Sequence, residues 1–123
     1  MTGHFVLIIE DDKKLAEIFA LTLQAAGFKT EWVSNGTAAL THLAESVPDL
    51  VVLDLHLPNV GGPTLLSQIR ADERLSRTRV ILATADDRLA QTIADQADLV
   101  LLKPISPEQL RTLASRLVDW TKS

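Results

Sequence analysis

Four short runs, Phe5 to Ile9, Leu50 to Leu53, Arg79 to Ala83 and Leu99 to Leu102, are apolar or nearly so, and each gives way to a polar or charged side chain. Continuous apolar runs of this length predict strands covered on both faces, as in a parallel sheet. A fifth stretch, Lys29 to Val33, alternates polar and apolar positions around Trp32, which suits a strand nearer a sheet edge.

Between these runs the apolar spacing becomes helical. Leu15, Ile18, Phe19 and Leu23 predict a helix from Lys13 to Ala26, with Asp12 as N-cap and Gly27 as its stop. Ala38, Ala39, Leu40, Leu43 and Ala44 mark a second helix after the Ser34-Asn35-Gly36 turn. Pro63 opens a third that runs to about Arg70 and turns Leu65, Leu66 and Ile69 inward. Asp86 to about Gln96 is a short fourth with Leu89, Ile93 and Ala94 inward. Ser106-Pro107-Glu108-Gln109 has the form of a capping box, and Leu110, Leu113, Ala114, Leu117 and Val118 give the fifth helix one apolar face.

Strands that alternate with helices predict an α/β fold, because right-handed crossovers lay parallel strands side by side. The expected architecture is a (βα)5 flavodoxin-like three-layer sandwich with a five-stranded parallel sheet in the order 2-1-3-4-5. In such a sheet all C-terminal strand ends share one rim. Asp11, Asp54, Thr84 and Lys103 should therefore line the same edge.

Length and composition narrow the chemistry. The 123 residues suffice for one domain, expected to span 1–123, with a two-sided core of its own. A net charge of −4 argues against a nucleic-acid surface, which would need a basic stripe, so no direct nucleic-acid binding is expected. The absence of cysteine removes thiolate catalysis, Cys-based zinc sites and disulfides. No signal-type or membrane-length apolar segment occurs, so no membrane association is expected and a cytoplasmic location is.

Glu10, Asp11 and Asp54, brought to neighbouring strand ends, would repel one another unless a cation sits among them. Oxygen-only donors select a hard ion, and Mg²⁺ fits best, since it uses one or two carboxylates and completes its shell with waters and a phosphate. On the opposite flank Lys103 supplies an ammonium and Thr84 a hydroxyl, both suited to phosphoryl oxygens. Asp54 lies between the flanks and is the expected nucleophile toward phosphorus, forming an acyl phosphate. His4 and His42 are read as surface residues, and Trp32 and Trp120 as packing residues.

The ordered set Glu10-Asp11-Asp12, Asp54-Leu55-His56-Leu57-Pro58 with Gly62, Thr84-Ala85 and Lys103-Pro104 resembles the receiver domain of bacterial two-component response regulators along essentially the whole chain. The resemblance implies that Asp54 accepts a phosphoryl group from a sensor histidine kinase or a histidine phosphotransfer protein. It also implies that Glu10, Asp11, Asp54 and the His56 backbone carbonyl hold Mg²⁺. Thr84, Ala85 and Lys103 would bind the phosphoryl group, with a cis Lys103–Pro104 peptide. His56 and Asp86 occupy positions that tune the lifetime of the phosphate. Such a protein is a signalling receiver that catalyses its own phosphoryl transfer and dephosphorylation rather than an enzyme with a turned-over substrate. Its output goes to a downstream protein effector, from a monomer or weak homodimer.

Three departures from that pattern stand out. Val100 occupies a place where receivers usually carry a swinging aromatic, and a β-branched side chain is stiff. The stretch from Thr84 to Lys103 is short, and Gly61 replaces the usual polar residue before Gly62. These features keep open a second function, a pseudo-receiver that serves as a constitutive protein-interaction or dimerisation module. A phosphatase with an aspartyl-phosphate intermediate would commonly need a second acid where His56 stands, and no cap or substrate pocket is evident.

Overall fold

The computed structural model describes residues 3–122, and side chains as far as residue 119; Trp120 thus lies outside the described side chains. Its elements are β1 (Phe5–Ile9), α1 (Lys13–Ala25), β2 (Lys29–Val33), α2 (Gly36–Glu45), β3 (Leu50–Leu53), α3 (Gly62–Ala71), β4 (Arg79–Thr84), α4 (Asp87–Ile93), β5 (Leu99–Leu102) and α5 (Pro107–Lys122). Short 3-10 turns at Glu73–Leu75 and Ala94–Gln96 follow α3 and α4. The sheet is parallel, as the crossover argument predicts, and has the order β2-β1-β3-β4-β5 expected of the flavodoxin-like architecture.

The two-residue period of a strand divides the core into two layers. Val6, Ile8, Leu50, Val52, Ile81 and Ala83 meet Phe19 and Leu23 of α1 and Leu110, Ala114 and Val118 of α5. Their neighbours Leu7, Ile9, Val51, Leu53, Val80 and Leu82 meet Ala39 and Leu43 of α2, Leu65, Leu66 and Ile69 of α3, and Ala90 of α4. Burial on both faces is why the central strands read as unbroken apolar runs. β2 lies at one edge and is largely exposed, in keeping with its alternating sequence.

Capping follows the expected residues. Asp12 accepts from the backbone N–H groups of Lys14 and Leu15, and Gly27, at φ +95°, takes the left-handed conformation past the end of α1. At the start of α5 the N–H of Gln109 donates to Ser106 Oγ at 3.3 Å.

Several expectations need correction. His4 is buried, not superficial: it shares the parity of Val6 and Ile8, so its ring enters the α1/α5 layer beside Phe28. His42 is half-buried between α2 and β2, where Nε2 meets Glu31 Oε2 at 2.9 Å and Nδ1 meets Ser46 Oγ at 2.9 Å. Ala94 is exposed because it opens the 3-10 turn that ends α4 and breaks the helical phase; Ala90 takes the inward place. Ile18 and Ala44, at the margins of their helical stripes, are also exposed.

Candidate functional site

The C-terminal ends of β1, β3, β4 and β5 gather the acids, the threonine and the lysine at one rim. β1 and β3 are paired directly, Ile9 beside Leu53, so the residues that follow them are neighbours. Asp54 N–H continues the ladder by donating to Ile9 O at 2.9 Å. Glu10, Asp11 and Asp54 each bring a carboxylate oxygen to within 4.8 Å of the other two. Glu10 and Asp54 are buried, while Asp11 is exposed at the mouth.

Among the described residues, one ammonium is ion-paired with these carboxylates. Lys103 Nζ reaches Glu10 Oε1 at 2.9 Å and Asp54 Oδ1 at 3.6 Å. Burial pushes the Glu10 carboxyl up to about 7, against the opposing pull of Lys103. Burial raises Asp54 too, again opposed by Lys103. Burial alone would lower Lys103, yet its hydrogen bond to Glu10 and the charges of Glu10 and Asp54 carry it upward overall. A site with raised carboxylates and a shortage of positive charge is suited to a divalent cation, and its oxygen donors are those of a hard one.

Thr84 is fully buried at the end of β4. Its carbonyl accepts from Lys103 N–H at 2.8 Å, which ties β4 to the start of the Lys103 turn, and its Oγ accepts from Asp86 N–H at 3.0 Å. Ala85 follows it, exposed at the rim. The Lys103–Pro104 peptide is cis, as the resemblance implies.

The β3–α3 loop closes the other side. Gly62 N–H donates to Leu55 O at 3.0 Å, and a side chain at Gly62 would sit 2.5 Å from Leu55 Cα and 2.7 Å from Asp54 O, so only glycine lets α3 start this close to Asp54. Gly61 has no such constraint, since a Cβ there would meet Pro63 at 3.8 Å. His56 N–H makes a long contact, 3.4 Å, to Asp54 Oδ1, and its exposed imidazole Nε2 meets Asp86 Oδ2 at 2.9 Å. That pair joins the loops after β3 and β4 across the mouth.

Two features escaped the sequence reading. Trp32, expected to pack, is 39% exposed and donates its indole N–H to Glu10 O at 2.6 Å. Asp98, just before β5, receives Arg70 Nη2 at 3.1 Å, Arg79 Nη1 at 3.0 Å and Val80 N–H at 2.8 Å. None of these four bonds joins residues close in sequence, so local pattern carried no signal of them.

Comparison with known proteins agrees with this geometry. The family profile of the response regulator receiver domain matches residues 6–115. The Methanothrix harundinacea protein named "Probable methanogenesis regulatory protein FilR2" is 32% identical, over 94% of this chain and 81% of its own length. The DNA-binding response regulator MtrA of Mycobacterium tuberculosis is 34% identical over 85% of this chain, a match that covers 46% of MtrA, so the chain spans about half that relative's length. Among solved structures, the signal receiver domain of a signal transduction histidine kinase from Syntrophus aciditrophicus superposes with a TM-score of 0.88 at 30% identity. That match covers 97% of this chain and 92% of the other. With its acids, lysine and sheet order all in the places that family requires, the chain belongs to the response regulator receiver domains and is a phosphoacceptor module of two-component signalling.

Proposed function

We propose that Asp54 is the phosphorylated residue and that Glu10, Asp11, Asp54 and the His56 carbonyl bind Mg²⁺. The observation that carries this is the buried Asp54 carboxylate, flanked by Glu10 and Asp11 on one side and by Lys103, 3.6 Å away, on the other. An Asp54 oxygen attacks the phosphorus of a phosphohistidine in line; the O–P bond forms, the N–P bond breaks, and the imidazole leaves with its electron pair. Mg²⁺, when bound, neutralises charge on the phosphoryl oxygens. Lys103 contributes a second positive charge at those oxygens, and the Thr84 hydroxyl and the Ala85 N–H supply hydrogen-bond donors.

The donor is a sensor histidine kinase or a histidine phosphotransfer protein. An apolar groove beside Lys103, lined by Leu15, Ile18, Phe19, Pro104 and Ile105, offers such a partner a place to rest. Engagement of Thr84 by the phosphoryl group would release its bond to Asp86 N–H and shift the loop before α4, altering the surface seen by a downstream protein effector. Residues 1–123 act as one receiver unit in this reading. No described helix is long and apolar enough to cross a membrane. A constitutive interaction module would leave the acid and lysine constellation without a role.

The test is intact mass after incubation with Mg²⁺ and acetyl phosphate, beside Asp54→Asn and a chelated control. A single phosphoryl adduct that needs both Asp54 and metal is expected. If neither acetyl phosphate nor a panel of phosphorylated histidine kinases modifies the protein, the proposal fails.

A further inference from the structure

Glu10 is held at every polar atom. Its N–H donates to Val33 O at 3.1 Å and its carbonyl accepts from Trp32 Nε1 at 2.6 Å. Its side chain accepts from Asp12 N–H at 3.1 Å through Oε2 and from Lys103 Nζ at 2.9 Å through Oε1. The two backbone restraints come from consecutive residues of β2. Val33 extends the regular strand ladder, whereas Trp32 reaches up from a position in register with Ile8, two residues before Glu10. An indole N–H can only donate, so this bond has one direction and one purpose for the nitrogen.

An aromatic ring 39% exposed on an edge strand contributes less by burial than one in the core, and the bond to Glu10 O is its specific contact. That bond fixes the peptide between Glu10 and Asp11, the two acids that project from one turn. Three carboxylates within 4.8 Å repel one another in the absence of a cation, and an unrestrained turn would relax apart. A small ion that demands near-octahedral geometry loses affinity when its ligands must first be gathered.

We propose that Trp32 is a positioning residue for the metal site, its indole N–H holding the Glu10 carbonyl so that Glu10 and Asp11 are arranged before the cation arrives. The inference rests on the reading of Glu10, Asp11 and Asp54 as the metal ligands. Trp32 touches neither the metal nor the phosphoryl group in this account; it acts through the peptide of Glu10.

Trp32→Phe keeps an aromatic ring and removes the donor. In the full chain, Mg²⁺ binding followed by calorimetry should weaken about fivefold, the fold-change expected for one net hydrogen bond. The Mg²⁺ concentration that half-saturates phosphorylation by acetyl phosphate should rise by the same factor, while the rate at saturating Mg²⁺ stays within about twofold of wild type. A purely structural role would lower Tm without this split. Independently, Trp120→Phe leaves Trp32 as the sole indole of a chain with two tryptophans. Its emission should then titrate with Mg²⁺ at the calorimetric Kd, a readout that needs no change at Trp32. Unchanged Mg²⁺ affinity in folded Trp32→Phe overturns the inference, and so does Trp32 emission indifferent to bound Mg²⁺. If the wild type binds no Mg²⁺, the metal reading itself fails and takes the inference with it, an outcome visible in the wild-type titration alone.

Discussion

Lys103 sits closer to Glu10 than to Asp54: Nζ lies 2.9 Å from Glu10 Oε1 and 3.6 Å from Asp54 Oδ1. The lysine thus balances a buried acid of the three-carboxylate cluster. A divalent cation held by Glu10 would draw that carboxylate from the ammonium and leave Lys103 available to phosphoryl oxygens at Asp54, so binding of the metal and release of the lysine would be coupled.

Lys103→Met tests that partnership. Removing one member of a buried pair costs about 3–5 kcal/mol when the other keeps its charge. Glu10 is already raised to about 7 and can take up a proton instead. The loss in metal-free protein should therefore be about 1–2 kcal/mol at pH 6 and larger at pH 8. Urea denaturation at both pH values measures it. Equal losses would contradict the assignment of Lys103 to Glu10.

The pH dependence of the metal-free protein has a definite sign. Glu10 rises from 4.5 to about 7 on folding, chiefly through burial, and Asp54 moves the same way. Between those values the folded chain holds a proton that the unfolded chain has released. The favourable contribution is complete below about pH 4.5 and is lost as pH rises through about 7. Stability in EDTA should fall from pH 5 to pH 8 by on the order of 1–3 kcal/mol, and Mg²⁺ should restore it at the upper end. Urea midpoints across that range, with and without metal, provide the check.

His56 and Asp86 close the mouth between the β3–α3 and β4–α4 loops. Asp86 also caps α4 through Leu89 N–H, the bond that does most to hold its carboxyl below the usual range, with His56 next. His56→Ala should open the path of water to a phosphorylated Asp54 and shorten the adduct's half-life about twofold to fivefold, with little change in stability. Asp86→Ala should do the same and in addition lower the Tm through the lost cap. Decay of the adduct followed by mass spectrometry, beside thermal melts, separates the two effects.

Asp98 joins Arg70, Arg79 and the N–H of Val80, and Arg70 further donates to Gln96 O at 2.8 Å and Thr78 O at 3.0 Å. This hub anchors the chain between the shortened α4 and β5. Asp98→Ala should cost about 2–3 kcal/mol, less than a fully buried pair because the groups keep some contact with water. It should also raise amide exchange in residues 94–98. Unaltered exchange there would show that the hub does not restrain the segment.

How much of this was legible in the amino-acid order follows from how far each interaction reaches along the chain. Runs such as Leu50 to Leu53 announced strands buried on both faces, and helical spacing with Asp12, Gly27 and Ser106 marked helix ends, because those preferences are local. Parallel crossovers then forced the strand ends to one rim, so Glu10, Asp11, Asp54, Thr84 and Lys103 could be placed together without coordinates. Tertiary structure decided what depends on distances between remote segments. It set Lys103 nearer to Glu10, 93 positions away, than to Asp54, and placed the Trp32 indole on the Glu10 carbonyl, 22 positions away. It drew Arg70 and Arg79 onto Asp98 and covered His4 with Phe28. Periodicity tells which face a side chain takes, but which atom it meets across that face is settled by the packing of elements that the local pattern does not relate.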